Sequence, residues 1–510
     1  MNASGARVID EAGGHNLTLY SGASLQGVVR AGTIVADVSS VTDVEVGDSF
    51  TYSLTDNAGG KYAINSSTGE ISLVNSHSIS AVDSHTVTVM ATDAGGNSYS
   101  ETLGIHLGTA GADTISGTAY FDVMYGLAGD DNLNGGSGKD VLYGGAGNDT
   151  LQGGVGNDTL HGGTGADVLD GGGGIDTADY STSGSGVTVD LATGVGSGGD
   201  AAGDTLTGFE NLTGSAYADD LRGDGGDNIL SGGAGNDYLY GGSGADTLIG
   251  GTGNDTLDGG GGIDTADYSS ATSGVTVDLS NAAAQNTGSS GVDTFLNIEN
   301  VTGSAYNDTI IGDSGNNSIS GGDGADYIDG GAGDDLIQFG NGGDIVHGGD
   351  GNDTIDDVNG SQLGNYADTL YGEAGNDSIS SGGGADTLFG GDGNDLLRGE
   401  DGNDILDGGR GNDTLYGDDG SDLFMFGSNG GMDTMYGGIA GGWTDVIQLT
   451  GSDGVGSAGV FGTDWTLQLT SGSIVSQDAY HIMLSQDADG HIAFDSSNQI
   501  TFTDMERIDF

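Results

Sequence analysis

Residues 135–161 read GGSGKDVLY-GGAGNDTLQ-GGVGNDTLH, three consecutive nine-residue repeats without a slip. The sixth position of each is an aspartate (Asp140, Asp149, Asp158) and the eighth an aliphatic (Leu142, Leu151, Leu160). Outward from this stretch the phase holds from Gly108 to Asp179 for eight repeats. It resumes at Gly214 for six, at Gly303 for six and at Leu363 for seven. Of these 27 repeats, 25 keep the position-six aspartate, and Asn228 and Asn317 are the two departures. A random glycine-rich linker would not hold a carboxylate and an aliphatic in fixed phase over that length.

One repeat can be read physically. Glycines permit positive φ, so GGxGx makes a tight turn with inward carbonyls. The last three residues, such as Thr150-Leu151-Gln152, form a very short strand whose middle side chain points inward. A single repeat buries about one leucine, which does not offset its ordering entropy. Stacked repeats bury a continuous ladder, as solenoids do. Closely stacked carboxylates repel unless a hard cation lies between them. Ca²⁺ accepts roughly 6–8 oxygens, carbonyls included, in flexible geometry, whereas Mg²⁺ resists such an arrangement.

Composition agrees. The chain has 510 residues, 108 glycines, no proline, no cysteine, 8 Lys+Arg and 76 Asp+Glu, for a formal net charge of −68. That charge repels phosphate and excludes a basic nucleic-acid groove. It also disfavours anionic membranes. Without cysteine there is neither a disulfide framework nor a thiolate zinc site. Hydrophobic residues make up 34%, too few for one large core. No run approaches the ~20 apolar residues of a membrane span. The opening MNASGARVIDEAGGHNLTLY lacks an apolar signal-peptide core, so export is expected to use a route without the usual N-terminal signal.

The motif GGxGxDxUx, with U an aliphatic residue, resembles the RTX (repeats-in-toxin, hemolysin-type) nonapeptide, a calcium-binding β-helix repeat. The resemblance covers roughly residues 108–445. It implies a right-handed parallel β-roll with two repeats per coil and Ca²⁺ ions held between turns by position-six aspartates and turn carbonyls. Carried over residue by residue, the implied ligands are Asp131, Asp140, Asp149, Asp158, Asp167, Asp176, Asp237, Asp246, Asp255, Asp264, Asp326, Asp335, Asp353, Asp377, Asp386, Asp395, Asp404, Asp413 and Asp422. The repeats GTAYFDVMY, GSAYADDLR and FGNGGDIVH lack part of the glycine pattern and are expected to act as caps.

The expected fold class is all-β: β-roll stacks with an N-terminal β-sandwich and a C-terminal β-rich cap. The expected domains begin with an N-terminal extension (1–14) and a cadherin-like sandwich (15–107). Roll blocks follow at 108–179, 214–267, 303–356 and 363–445, separated by β inserts at 180–213 and 268–302 and a short insert at 357–362. A C-terminal domain (446–510) closes the chain. The two longer inserts are near-copies, each carrying VTVDL and a Glu-Asn pair (Glu210-Asn211, Glu299-Asn300), and read as wider coils that start each new stack. TYSLTDNAGGKYAINSSTGEI followed by HTVTVMATDAGGNS is similar to a bacterial cadherin-like repeat. In cadherins the aspartate of the Ala91-Thr92-Asp93 motif ligates calcium. The acidic motif expected before that strand is missing here, so no ligand is assigned at Asp93. The tail, ending MERIDF, resembles the C-terminal target domain of type I secretion substrates.

No H-E-x-x-H, G-x-S-x-G or Walker-type loop occurs among the residues. His161 and His347 fall at the outward ninth position and are expected to be solvated. The chain is therefore read as not an enzyme. The expectation is a secreted, calcium-binding RTX surface protein with multiple bound Ca²⁺. Its expected role is in cell adhesion or a biofilm matrix, and it resembles the C-terminal part of a large bacterial RTX adhesin. It is expected to be extracellular or on the surface of a Gram-negative bacterium, with a type I exporter as partner through its tail, cell-surface or matrix components as further partners, and no nucleic-acid partner or transmembrane segment. The alternatives are a self-assembling surface-layer protein and an exoenzyme fragment without a recognisable catalytic domain.

Overall fold

A computed structural model describes residues 28–29, 34–37, 50–75, 77–78, 81–93, 95–357, 366–427, 430–438, 445–449, 466–469, 474–477, 481–493 and 499–509. The expected extension 1–14, nearly all of the short insert 357–362 and much of the tail lie outside the described residues. Among the described residues there is no α-helix; the regular elements are strands, most of them short, and two three-residue 3-10 turns, Gly199–Ala201 and Gly288–Ser290. The chain divides into two compact units, Met1–Asp246 and Thr247–Phe510.

In the first unit, two antiparallel sheets face a common core. One is formed by Ile34–Asp37, Glu70–Leu73 and Tyr62–Ile64, the other by Thr51–Asp56, Asp83–Thr92 and Ser98–Leu107. Period-two alternation places Tyr52, Tyr62, Ile71, Val87, Leu103 and Ile105 inside, as a half-buried sheet requires. The last of these strands continues directly into the roll, pairing in parallel with Phe121–Ala128 (Leu103↔Phe121, Ile105↔Val123).

From there each strand pairs in parallel with the strand 18 residues on. Leu133 faces Leu151 and Leu151 faces Leu169 along one wall, while Met124, Leu142, Leu160 and Ala178 line the other. One coil is therefore two repeats. The position-eight side chains are buried, with exposures of 0–2%. Each coil contributes little apolar area, and only the stacked column makes a core.

The insert does not start a new stack. On one wall Thr177 pairs in parallel with Asn211, so the ladder passes over it without a break. On the other wall Thr205–Thr207 continues in parallel from Val168–Gly173, Val195–Ser197 pairs antiparallel to it and to Thr188–Asp190, and Thr188–Asp190 then runs parallel to Asp220–Arg222. The second unit repeats this plan around Thr276–Asp278, with Thr265 paired to Asn300. Its walls then run in parallel from Thr309–Ile311 to Val446–Leu449 and from Asn300–Thr302 to Met432–Tyr436. A hairpin of His481–Ala493 and Gln499–Asp509 closes this unit, its second strand parallel to Met432–Tyr436 and to Val446–Leu449, burying Ile500, Phe502, Met505 and Ile508.

Candidate metal centres

The position-six aspartates form ladders along the turns. The amide of Asp131 donates to Oδ1 of Asp149 at 2.7 Å, and that of Asp149 to Oδ1 of Asp167 at 2.8 Å. On the other side Asp140 donates to Asp158 and Asp158 to Asp176, each at 2.7 Å. The second unit carries the same rungs, for example Asp335 to Asp353 at 2.9 Å and Asp404 to Asp422 at 3.0 Å. Chain insertions are absorbed outside the rung: Asp353 bonds to Asp377, 24 residues on, at 2.8 Å.

All 19 sequence-predicted aspartates occupy such steps, with exposures of 3% or less. What separates them from a merely structural carboxylate is the second oxygen. In Asp131, Asp140, Asp149, Asp158, Asp167 and Asp176, Oδ2 is buried and takes no hydrogen bond from the protein. The same holds in Asp326, Asp335, Asp353, Asp377, Asp395, Asp404, Asp413 and Asp422. Asp237, Asp246, Asp255 and Asp264 stand at the same step, and Oδ2 of Asp255 lies over Gly250 as that of Asp264 lies over Gly259. At Asp386 a serine replaces the position-one glycine, and the Ser381 hydroxyl donates to the Gly399 carbonyl at 2.9 Å.

Position one shows where those oxygens aim. A Cβ built on Gly144 would lie 2.5 Å from Asp149 Oδ2 and 2.5 Å from the Gly162 carbonyl oxygen, two repeats on. Gly330 stands in the same relation to Asp335 Oδ2 and the Gly348 carbonyl, at 2.5 Å each. Such a turn holds a small cradle, open only because the residue is glycine, into which a carboxylate oxygen and a backbone carbonyl both face. Among the described residues no three histidine or carboxylate side chains converge on one point. A metal must therefore draw most of its ligands from carbonyls, which selects a hard oxygen-seeking ion.

The electrostatics point the same way. Burial, opposed by the rung amide and reinforced by neighbouring carboxylates, pushes the carboxyls of Asp140 and Asp404 up to about 8 and that of Asp149 to about 7. Without a counter-ion the ionised ladder is penalised. A divalent cation in the cradle would supply both the missing charge and the missing partner for Oδ2.

Other carboxylates in the ladders are satisfied by protein donors. Asp122 Oδ2 accepts from the Thr118 amide (2.6 Å) and hydroxyl (3.0 Å), and its Oδ1 from His106 Nε2 (2.9 Å), whose Nδ1 meets Ser84. Asp219 is closed by the amide and hydroxyl of Ser215, and Asp308 by those of Ser304. GTAYFDVMY and GSAYADDLR are not the caps expected from their sequence, since Phe121–Ala128 and Asp220–Arg222 each pair in parallel with a strand on both sides; what sets them apart is a hydroxyl at position two in place of the second glycine. FGNGGDIVH does not behave this way. Asp344 joins the ladder from Asp326 at 2.7 Å, and its buried Oδ2 takes no hydrogen bond. Sequence reading missed it because Phe339 stands at position one, although the position-six aspartate was in phase.

Further features extend or correct the sequence reading. Glu210 and Glu299 supply the rung oxygen at the inserts, accepting from the Asp176 and Asp264 amides at 2.8 and 2.9 Å. The repeated GxGND signals a second, exposed ladder, in which Asn376, Asn394 and Asn412 each bond to the asparagine one coil earlier. His161 is not solvated. It is 8% exposed and stacks on Tyr143, ring centroids 4.2 Å apart, because a position-nine side chain meets the same position one coil away. His347 stacks on Tyr371 in the same manner and pairs with Glu373 at 2.8 Å. Asp93 accepts from the amide and side chain of Asn97, both at 2.8 Å, which commits both its oxygens to a turn.

This parallel solenoid, with a ladder of buried carboxylates turned toward carbonyl-lined cradles, is the architecture of a calcium-binding β-roll. The profile of the RTX calcium-binding nonapeptide repeat matches residues 107–142, 143–178, 204–239, 231–266, 302–337, 340–357, 363–397 and 398–430, together about half of the chain. The chain belongs to this family, and its repeats are calcium-binding repeats for multiple Ca²⁺ ions. A search of the curated proteins found no match.

Proposed function

We propose that this is a secreted surface or matrix protein whose rolls fold when Ca²⁺ enters the cradles, with the named aspartates as ligands. The observation that carries the reading is the row of buried Oδ2 atoms without a protein partner. Such a row is costly in a folded protein at neutral pH, and calcium removes the cost. Cytosolic calcium lies far below the roughly 0.1–1 mM affinity range of extracellular modules. The chain would then stay unfolded and threadable inside the cell and fold outside.

In this reading residues 446–510 carry the address for a type I exporter, and the closing hairpin serves as the cap of the last coil. The N-terminal sandwich, continuous with the roll, is the adhesive or matrix-contacting module. The test of folding is far-UV circular dichroism in chelator, Ca²⁺ and Mg²⁺. A cooperative gain of β-structure in Ca²⁺ alone supports the reading, and identical spectra overturn it. For export, residues 446–510 are deleted, or fused to a slow-folding reporter, in a host with a matching exporter. Normal export of the deletion, or retention of the fusion, overturns the address. For adhesion, calcium-loaded protein is assayed on cell surfaces and matrix polysaccharide. Ordered two-dimensional sheets would instead indicate a surface layer.

A further inference from the structure

The two inserts differ from the arrays in how their ladder carboxylates are satisfied. In the first, Tyr180 Oη donates to Asp204 Oδ2 at 3.0 Å, Ser215 closes Asp219, and Asn228 replaces an aspartate, its Nδ2 donating to the Glu210 carbonyl at 2.8 Å. The second has the same three devices. Tyr268 and Thr287 hydroxyls reach Asp293 Oδ2 at 2.9 and 2.7 Å, Ser304 closes Asp308, and Asn317 Nδ2 donates to the Glu299 carbonyl at 2.6 Å. Hydroxyls and amides stand where the arrays leave an oxygen bare.

The inserts also bury more apolar surface. Tyr180, Val187, Val189, Phe209 and Leu212 are buried around the first, and Tyr268, Val275, Val277, Phe295 and Ile298 around the second. A regular repeat buries one leucine. Both differences reduce the dependence on a metal: no unpaired oxygen must be neutralised, and more area is removed from water per residue ordered.

We infer that residues 180–231 and 268–320 close without calcium and act as seeds on which the calcium-dependent coils assemble. Each seed offers the next array two ready rungs. The Asp219 and Asn228 amides bond to Oδ1 of Asp237 and Asp246 at 2.9 and 2.8 Å, and those of Asp308 and Asn317 to Asp326 and Asp335 at 2.8 and 2.7 Å. A coil forming against a preformed rung avoids the unfavourable step of nucleating a parallel pair from an open chain. The arrays need calcium to complete, but need not begin on their own. This inference rests on the calcium-folding reading above.

The experiment is hydrogen–deuterium exchange of the intact chain, read by peptide across a calcium series at fixed pH. In chelator, peptides from 180–231 and 268–320 are expected to exchange at least about tenfold more slowly than those from 140–167 and 386–413. Only the latter should show a calcium midpoint. The triple variant Tyr268→Phe/Thr287→Val/Ser304→Ala, which removes every hydroxyl donor to Asp293 and Asp308 and keeps the Ser304 amide, should weaken protection of 268–320 in chelator and raise the calcium midpoint of 321–356 several-fold. Protection of seeds and arrays with one shared midpoint would overturn the seeds and leave calcium folding intact. Calcium-independent exchange in every peptide would overturn the calcium-folding reading itself.

Discussion

The amide of Asp140 bonds to Oδ1 of Asp158 at 2.7 Å, while Oδ2 of Asp158 is buried without a hydrogen bond. One side chain thus does two jobs. Its first oxygen fixes the coil-to-coil register, and its second is left for a cation. The division repeats along both ladders and determines how the protein should respond to mutation, pH and metal.

Asp395→Asn keeps a rung acceptor but removes the charge facing the cradle. It should raise the calcium midpoint of its block several-fold in a dichroism titration. Asp122→Asn should leave the midpoint nearly unchanged, because Thr118 and His106 already occupy both oxygens. Equal shifts in the two variants would refute the division of the ladder into metal-facing and protein-closed steps.

Gly144→Ala places a methyl 2.5 Å from both Asp149 Oδ2 and the Gly162 carbonyl. Overpacking at such a point costs about 1–3 kcal/mol, and here it also blocks the cradle. Gly173→Ala adds a Cβ with nothing within 4 Å and should be close to neutral. Thermal denaturation in saturating calcium compares the two. An unaffected Gly144→Ala protein would show that the cradle is not used.

The pH response without calcium should run opposite to that of most proteins. Burial raises the carboxyls of Asp140, Asp344 and Asp404 to about 8, against about 3.9 in an unfolded chain. A raised folded-state value means that the fold binds protons more tightly than the unfolded chain. The metal-free fold is therefore most stable at or below about pH 4 and loses that stability as pH rises to about 8. In chelator, β-structure should be greater at pH 5 than at pH 8. With calcium present, protons compete for the same oxygens, so the calcium midpoint should rise as pH falls. Dichroism titrations at several pH values test both signs.

Asp418 occupies position two with φ 62°, where most repeats have glycine. A non-glycine residue in the left-handed region costs roughly 1–2 kcal/mol, and burial raises this carboxyl above its ordinary value. Asp418→Gly should stabilise the calcium-bound protein by about 1 kcal/mol, seen as a higher Tm. Glu400→Gly, at φ 63°, should gain less, because Glu400 accepts a 2.6 Å bond from Ser380 that is lost with it.

The division between Asp158 and Asp122 shows how far sequence reading reaches. Both sit at position six of an in-phase repeat, and phase alone made both ladder members. Their different chemistry lies four residues upstream, where Gly154 or Thr118 stands at position two. A hydroxyl there can reach the carboxylate across one turn, and the G-[ST]-A-x-x-D pattern was visible as the signal. Asp344 fell on the other side of the same reading. Its glycine pattern is broken, but the rungs from Asp326 and to Asp368 hold it in the ladder.

The sequence by itself determined the coil. A nine-residue period with glycines at the turn, an aliphatic at position eight and an acid at position six admits one way to bury the leucines, and it demands a cation for the acids. These are local facts, repeated. Only the tertiary structure decided which partner each side chain meets one coil away, because that partner lies 18 residues off in an array, 34 at Asp176–Glu210 and 38 at Asp255–Asp293. It is why His161 is buried under Tyr143, why a tyrosine hydroxyl closes Asp204, and why the inserts lengthen a coil instead of ending a stack. Parallel pairing makes neighbours of residues whose separation depends on everything looped out between them, and no local pattern encodes that distance.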